Sequence, residues 1–194
     1  NAPERLLVEA LKLSKNGSPL IRRELALLLR EEDWGKTSEI YKELIKAYDG
    51  TNPWYRNALG IGMKDNTETY YRDNIAAIDP AKWSPQIASL IWEWHPKAAI
   101  PALRARLENE ALTTDERDLA LETLAFIFEK EAVEAVKKAA EKEGALQEKA
   151  QWWLQFRKYN EWSAFLQDWE APIVLPDAQP NLLALKAQLK DSLT

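Results

Sequence analysis

Hydrophobic residues recur at intervals of three and four along most of the chain, which is the period of an amphipathic α-helix. The pattern is clear in the stretches PERLLVEALKLSK, SEIYKELIKAY and DERDLALETLAFIF. No segment alternates with a period of two for long enough to predict a strand. Turn-forming dipeptides, such as Asp49-Gly50 and Asp79-Pro80, separate the periodic stretches. The chain is therefore predicted to be all-α, with about eleven short helices.

The periodic stretches themselves repeat about every 31 residues. Five of them align on a shared alanine, at Ala26, Ala58, Ala88, Ala120 and Ala150. Three positions later lies a nearly unbroken apolar column, formed by Leu29, Ile61, Ile91, Thr123 and Trp153. Another amphipathic stretch precedes each aligned one, and a small residue suits the point where two helices cross. The pattern predicts a right-handed α-solenoid of about five HEAT-like antiparallel helix pairs.

The repeats divide the chain into a solenoid and a short tail. The solenoid is expected over residues 1–170, with helix pairs at about 1–31, 34–63, 67–94, 97–128 and 131–159 and a capping helix at 161–169. Three prolines predict a linker or an extended strap over 171–181. Residues 182–194 read as the first helix of a truncated further repeat, because ALKAQL repeats the ALRARL of residues 102–107. The chain starts without Met, so we expect it to belong to a longer protein.

The stretch QWWLQFRKYNEW carries five aromatic rings beside two basic residues. Trp153 falls in the apolar column and is predicted to lie in the core. Trp152, Phe156 and Tyr159 form a second stripe on the same helix, and we expect the following stretch EWSAFLQDW to cover it. The alternative is a stacking platform for single-stranded nucleic acid, which needs exposed rings beside a basic groove. Core packing is the favoured interpretation.

Composition argues against several classes of function. The 26 Lys and Arg residues are outnumbered by 31 Asp and Glu residues, and the net charge of −5 has the wrong sign for gripping a phosphate backbone. The chain has no Cys and a single histidine, His95, which we expect to pack between Trp residues or to cap a helix. No apolar run approaches the roughly 20 residues that span a bilayer. We therefore predict no catalytic, cofactor or metal site, no nucleic-acid partner and no membrane insertion.

One polar face of the predicted second helices is a candidate for binding. It consists of the positions two before and five after each repeat alanine, which line the concave surface in HEAT-like arrays. The first set is Glu24, Arg56, Gln86, Asp118 and Glu148, and the second is Glu31, Met63, Glu93, Ala125 and Gln155. The polar members, mostly acidic, are either a solvated helix face or a surface for a protein that presents basic or hydrogen-bond-donor groups.

Four stretches resemble a known family. They are YRNALGIGMKDN, WSPQIASLIWEWHPKAAIPALRARL, TTDERDLALETLAFI and QWWLQFRKYNEWSAF. They are similar to the helical-repeat segment of large exported bacterial proteins that resemble glucose/sorbosone-type sugar dehydrogenases, with a propeller domain and often a c-type haem domain. The resemblance implies an extracytoplasmic redox protein as the parent chain. It carries over no functional residue and no cofactor, because the propeller's cofactor residues and the Cys-x-x-Cys-His motif have no counterpart here.

Two classes of function fit these observations. The first is a non-catalytic scaffold or interaction module that positions or binds other domains of its parent protein. The second is an enzyme on the same architecture, such as a HEAT-like DNA glycosylase. A glycosylase needs a basic concave groove, and the acidic face argues against it. The first class is the prediction.

Overall fold

The computed structural model describes residues 4–170, and every regular element in that range is helical. The α-helices are α1 (Glu4–Asn16), α2 (Pro19–Leu28), α3 (Trp34–Lys46), α4 (Pro53–Met63), α5 (Thr67–Asn74), α6 (Pro85–Trp94), α7 (Ile100–Glu108), α8 (Thr114–Ala125), α9 (Lys130–Glu141) and α10 (Gln147–Lys158). Short 3-10 turns lie at Leu29–Glu31, Lys64–Asn66, Pro80–Lys82, Lys97–Ala99 and Ser163–Phe165. The all-α prediction is confirmed.

Local sequence determines where four of the even-numbered helices begin. The side chains of Ser18, Asn52, Ser84 and Thr113 each accept a hydrogen bond from a backbone N–H in the first turn of the helix that follows. A proline opens α2, α4 and α6, where its missing N–H costs nothing. In α8 the Glu116 carboxylate also accepts from the Thr113 N–H at 3.0 Å, which completes a capping box.

Helices contact one another in chain order within two sets. Among the even-numbered helices, α2 packs on α4, α4 on α6, α6 on α8 and α8 on α10. Among the odd-numbered helices, α1 packs on α3 and α7 on α9, and α5 contacts the 3-10 turn that precedes α7. The sets meet where α7 packs on α8 and α9 on α10. The hydrophobic core lies between the two sets.

The five repeat alanines are all buried, and the most exposed, Ala88, shows only 7% of its surface. The crossing of α2 and α4 explains why small residues are needed there. A Cβ on Gly62 would lie 2.5 Å from the Ala26 carbonyl oxygen and 2.6 Å from the Tyr41 hydroxyl. The Tyr41 hydroxyl donates to that same carbonyl at 2.7 Å. The two helices can approach this closely only because α4 has a glycine at the contact.

The predicted apolar column is wrong at one of its five positions. Leu29, Ile91, Thr123 and Trp153 are buried, but Ile61 is 51% exposed. In α4 the buried positions are Tyr55, Ala58, Leu59, Gly62 and Met63. The side of α4 that carries this stripe, including the small Gly62, faces α2. Ile61 lies on a different side of the helix and therefore points to solvent.

The segment after α10 is less regular than the predicted capping helix over 161–169. Only the 3-10 turn Ser163–Phe165 forms, but two side chains anchor the segment. The indole N–H of Trp162 donates to the Ile127 carbonyl at 3.1 Å, and Leu166 is completely buried. The segment therefore closes the core at this end without a helix. The linker predicted over 171–181 and the helix predicted over 182–194 lie outside the described residues.

Candidate interaction surface

The predicted polar face is only partly available for binding. Glu24, Glu31, Glu148 and Gln155 are exposed, whereas Arg56, Gln86, Glu93 and Asp118 are half-buried. Met63 and Ala125, which the register placed on the same face, are buried at 0% and 1% exposure. Placing these two on the concave surface was therefore wrong. In α4 and α8 the buried stripe is wide enough to include the fifth position after the alanine.

Three of the face's acids are neutralised within the chain. Glu31 pairs with Lys64 at 2.6 Å, Glu93 with Arg56 at 3.1 Å and Asp118 with Lys149 at 2.6 Å. Each pair joins one predicted helix pair to the next. Lys64 and Lys149 lie outside the two sets of positions considered in the sequence, so the predicted face looked more acidic than the surface is. The argument for a basic partner is correspondingly weaker.

The titration of these groups follows their surroundings. The Lys64 ammonium holds the pKa of Glu31 below its ordinary value. Burial raises the pKa of Glu93, although the Arg56 guanidinium acts in the opposite direction. Burial also acts to lower the pKa of Lys149, but Asp118 and Glu122 outweigh it, so that the pKa is raised. The pKa shifts on this face thus arise from burial and from charged partners on neighbouring helices.

A cluster of aromatic rings occupies the C-terminal ends of α6, α8 and α10. The Phe126 ring lies 5.2 Å from the His95 ring and 5.5 Å from the Trp153 ring. The Trp152 and Phe156 rings are stacked, with centroids 5.2 Å apart and planes within 5°. Phe126, Trp152 and Phe156 are 46%, 54% and 46% exposed. These three rings are called the aromatic surface below.

A buried cation lies beneath the aromatic surface. Arg157 is only 7% exposed, and its guanidinium carbon lies 4.5 Å from the Phe126 ring centroid. Its Nη1 donates to the Glu161 carboxylate at 2.6 Å. Its Nε has no hydrogen-bond partner among the described residues. The rings therefore cover a guanidinium that is paired with Glu161 and has one N–H donor without a partner among the described residues.

The single histidine belongs to this cluster. His95 ends α6 in the left-handed conformation, with φ 48° and ψ 45°, and its backbone N–H donates to the Ile91 carbonyl. Its ring packs between Trp92 and Phe126, with centroid distances of 5.9 and 5.2 Å. Burial, and then the Arg157 charge, lowers its pKa to about 4, so the ring is neutral near pH 7. The ring thus packs against one Trp and one Phe rather than between two Trp residues, and the residue also ends α6, so each predicted role of His95 is met in part.

The prediction that the second aromatic stripe of α10 is covered was wrong. Tyr159 is 74% exposed, and Trp152 and Phe156 are about half exposed. The three rings expected to cover them have other partners. Trp162 is directed at the Ile127 carbonyl, Phe165 packs on Phe128 at 5.4 Å and Trp169 lies under the Lys158 ammonium. The sequence showed two apolar stripes on α10 but not which one the following segment would take.

The described residues, 4–170, also bear on metal binding and membrane insertion. They contain no group of three or more His, Cys, Asp or Glu side chains that could hold a metal ion. No helix in the same range is long and apolar enough to cross a bilayer. The chain matches no protein-family model, no curated protein and no solved structure.

Proposed function

We propose that the chain is a non-catalytic helical-repeat interaction module that binds protein through its aromatic surface. The observation that carries the proposal is the group of half-exposed rings, Phe126, Trp152 and Phe156, above the buried Arg157. Aromatic residues and Arg are the residues that most often supply binding energy at protein interfaces, especially where they are held rigidly. These rings are held by contacts with one another and with Trp153.

The proposed architecture is a right-handed array of five HEAT-like pairs. Hydrogen bonds between side chains 30 to 33 residues apart support it, and they recur along the chain at Lys64–Glu31, Trp92–Glu122, Lys138–Glu108, Lys142–Glu110 and Lys149–Asp118. Contacts at one repeating separation are what stacked repeats produce, because each unit touches its neighbours at equivalent places.

The proposed partners are other domains of a larger parent protein. This part rests on the resemblance to exported sugar-dehydrogenase-like proteins, which also suggests an extracytoplasmic location and a haem-containing parent. Sequencing the gene outward from this segment tests it directly. We expect a propeller domain or a c-type haem domain on one side, and unrelated flanking domains would contradict the assignment.

Nucleic-acid binding is the competing use of exposed rings. The aromatic surface meets one requirement of a stacking platform, but a basic groove is the other, and the net charge is −5. The cation beneath the rings, Arg157, is buried and paired with Glu161, so it is not open to a phosphate. A salt titration with single-stranded DNA is expected to show no specific binding at physiological ionic strength, and tight binding would support a glycosylase-like reading instead.

The interaction itself is tested by a paired substitution. The flanking domains, produced separately, are titrated calorimetrically with the wild-type chain and with the Trp152→Ala/Phe156→Ala variant. We expect the variant to bind at least about tenfold more weakly, since large interface rings carry 1 kcal/mol or more each. Trp54→Ala is the matched control, because Trp54 is 70% exposed on α4, away from the aromatic surface. Equal affinity for all three proteins would contradict the assigned surface.

The non-catalytic part of the proposal has its own test. The purified chain is assayed for oxidation of sugars with an artificial electron acceptor and for excision of bases from DNA. Neither reaction is expected above background. Turnover at enzymatic rates in either assay would overturn it.

A further inference from the structure

An apolar groove lies on α1 and α2, on the opposite end of the helix array from the aromatic surface. Its volume is about 630 Å³, and its lining is Leu13, Leu20, Ile21, Glu24, Leu25, Leu27, Leu28 and Arg30. Leu28 is 76% exposed and Leu20 is 59% exposed. Isolated exposed leucines are ordinary on a protein surface, but a contiguous groove of them marks a binding site.

The repeat register indicates that the groove suits a helix. Leu27 follows the repeat alanine of α2, as Leu59 follows that of α4. Leu59 is completely buried in α4, which packs on α2, whereas Leu27 stays partly exposed. The groove therefore lies on the side of α2 that is equivalent to the side of α4 covered by α2.

We propose that this groove binds residues 182–194 of a second copy of the chain. That segment lies outside the described residues, but its ALKAQL stretch repeats ALRARL in α7. In α7 the two leucines of the stretch, Leu103 and Leu107, are 2% and 4% exposed. Leu185 and Leu189 occupy the same places in the repeated stretch. In α7 this pattern of leucines is buried against other helices of the chain.

Chain length also favours this occupant. The described chain ends at Glu170, beyond α10. Helix α10 is four helix-to-helix steps from α2, which is roughly 32–40 Å at 8–10 Å per step. The eleven residues 171–181 span at most about 35–40 Å when fully extended. Binding within one copy would need a taut linker, whereas binding to a second copy would not.

The inferred contact joins different surfaces of two copies. A head-to-tail contact of this kind does not close on itself unless the rotation happens to form a ring, so assembly continues with concentration. The contact does not involve the aromatic surface. The inference is therefore independent of the proposed function, and the Trp152→Ala/Phe156→Ala variant should assemble like the wild type.

Two full-length variants test the contact. The groove variant is Leu20→Glu/Leu28→Glu, and the tail variant is Leu185→Glu/Leu189→Glu. Sedimentation velocity is measured over a hundredfold range of concentration, with circular dichroism confirming that each variant is folded. We expect the wild-type mass to rise beyond that of a dimer and each variant alone to stay monomeric. Leu6→Glu, at an exposed α1 position that does not line the groove, should assemble normally.

Mixing the two variants gives the decisive result. The tail variant keeps an intact groove and the groove variant keeps an intact tail, so a 1:1 mixture should form a heterodimer that grows no further. A wild-type chain that stays monomeric at every concentration would overturn the proposal. So would a mixture that fails to form the heterodimer, and so would a groove variant that still assembles. A tail variant that still assembles alone would also overturn it and would indicate a symmetric contact between two grooves.

Discussion

At the scale of single residues, His95 and Trp153 show how the aromatic cluster is held together. His95 is neutral and half-buried between rings, and Trp153 contacts the rings of Phe126, Trp152 and Phe156. The indole of Trp153 is only 7% exposed. The exposed rings of the aromatic surface rest on these two side chains, so the stability of the cluster and the shape of the surface depend on the same contacts.

The lowered pKa of His95 makes stability depend on pH. The folded-state pKa is about 4 against an ordinary value of 6.5, so below pH 6.5 the unfolded chain binds a proton that the folded chain does not. The free energy of unfolding should therefore fall as the pH drops from 7 towards 4, by roughly 1–2 kcal/mol between pH 7 and pH 5. In the His95→Asn variant this position does not titrate, and asparagine tolerates the left-handed backbone conformation. Denaturant melts of the wild type and of His95→Asn at pH 7 and pH 5 measure this difference. Equal losses of unfolding free energy in the two proteins would contradict the role assigned to His95.

Trp153 should contribute more to stability than any exposed side chain of α10. Trp153→Ala is expected to cost about 3–5 kcal/mol, because a large buried ring leaves a cavity. Glu148→Gln, at an exposed position on the same helix, should change stability by less than about 0.5 kcal/mol. Urea melts that ranked the two variants in the reverse order would show that the faces of α10 had been exchanged.

At the scale of helices, the sequence predicts where elements lie better than how they are rotated. Apolar period, capping residues and turn prolines are local signals, and the described helices begin close to the predicted places. The exposed Ile61 was not foreseen, because spacing alone does not determine which side of α4 turns to α2 at Gly62. The aromatic surface was missed for a related reason, since the partners of Trp162 and Phe165 belong to other elements.

The crossing of α2 and α4 depends on one glycine of the two in α4. Gly62→Ala should destabilise the protein by about 1–3 kcal/mol, because the new Cβ would meet the backbone carbonyl of Ala26 at 2.5 Å. Gly60→Ala brings its Cβ only against side-chain atoms, 2.7 Å from Oε1 and 2.9 Å from Cγ of Glu93, and this side chain can move where a backbone carbonyl cannot. The higher helix propensity of alanine, about 1 kcal/mol, offsets part of that cost, so the loss should be smaller than for Gly62→Ala. Thermal melts compare them. Equal destabilisation by both would mean that the contact with the Ala26 carbonyl is not what makes Gly62→Ala costly.

At the scale of the whole molecule, the proposed arrangement is an open array in which each helix pair touches its neighbours. The even-numbered helices contact in chain order, and side-chain hydrogen bonds join residues 30 to 33 apart. Hydrogen bonds at this separation could not be predicted, because a repeat period locates backbones but not the ends of long side chains. An array of this kind would leave both ends and one long face free for partners, as the proposed interaction module requires.

The distance between the two ends of the array tests this account most directly. The chain has no cysteine, so Glu24→Cys and Gln155→Cys place spin labels only on α2 and α10. Double electron–electron resonance is measured on the Leu20→Glu/Leu28→Glu background, in which contacts between copies are removed. It then reports one intramolecular distance. Four helix-to-helix steps predict roughly 30–40 Å. A distance near 15 Å or less would show that the first and last pairs pack together in a closed bundle, and would contradict the open array.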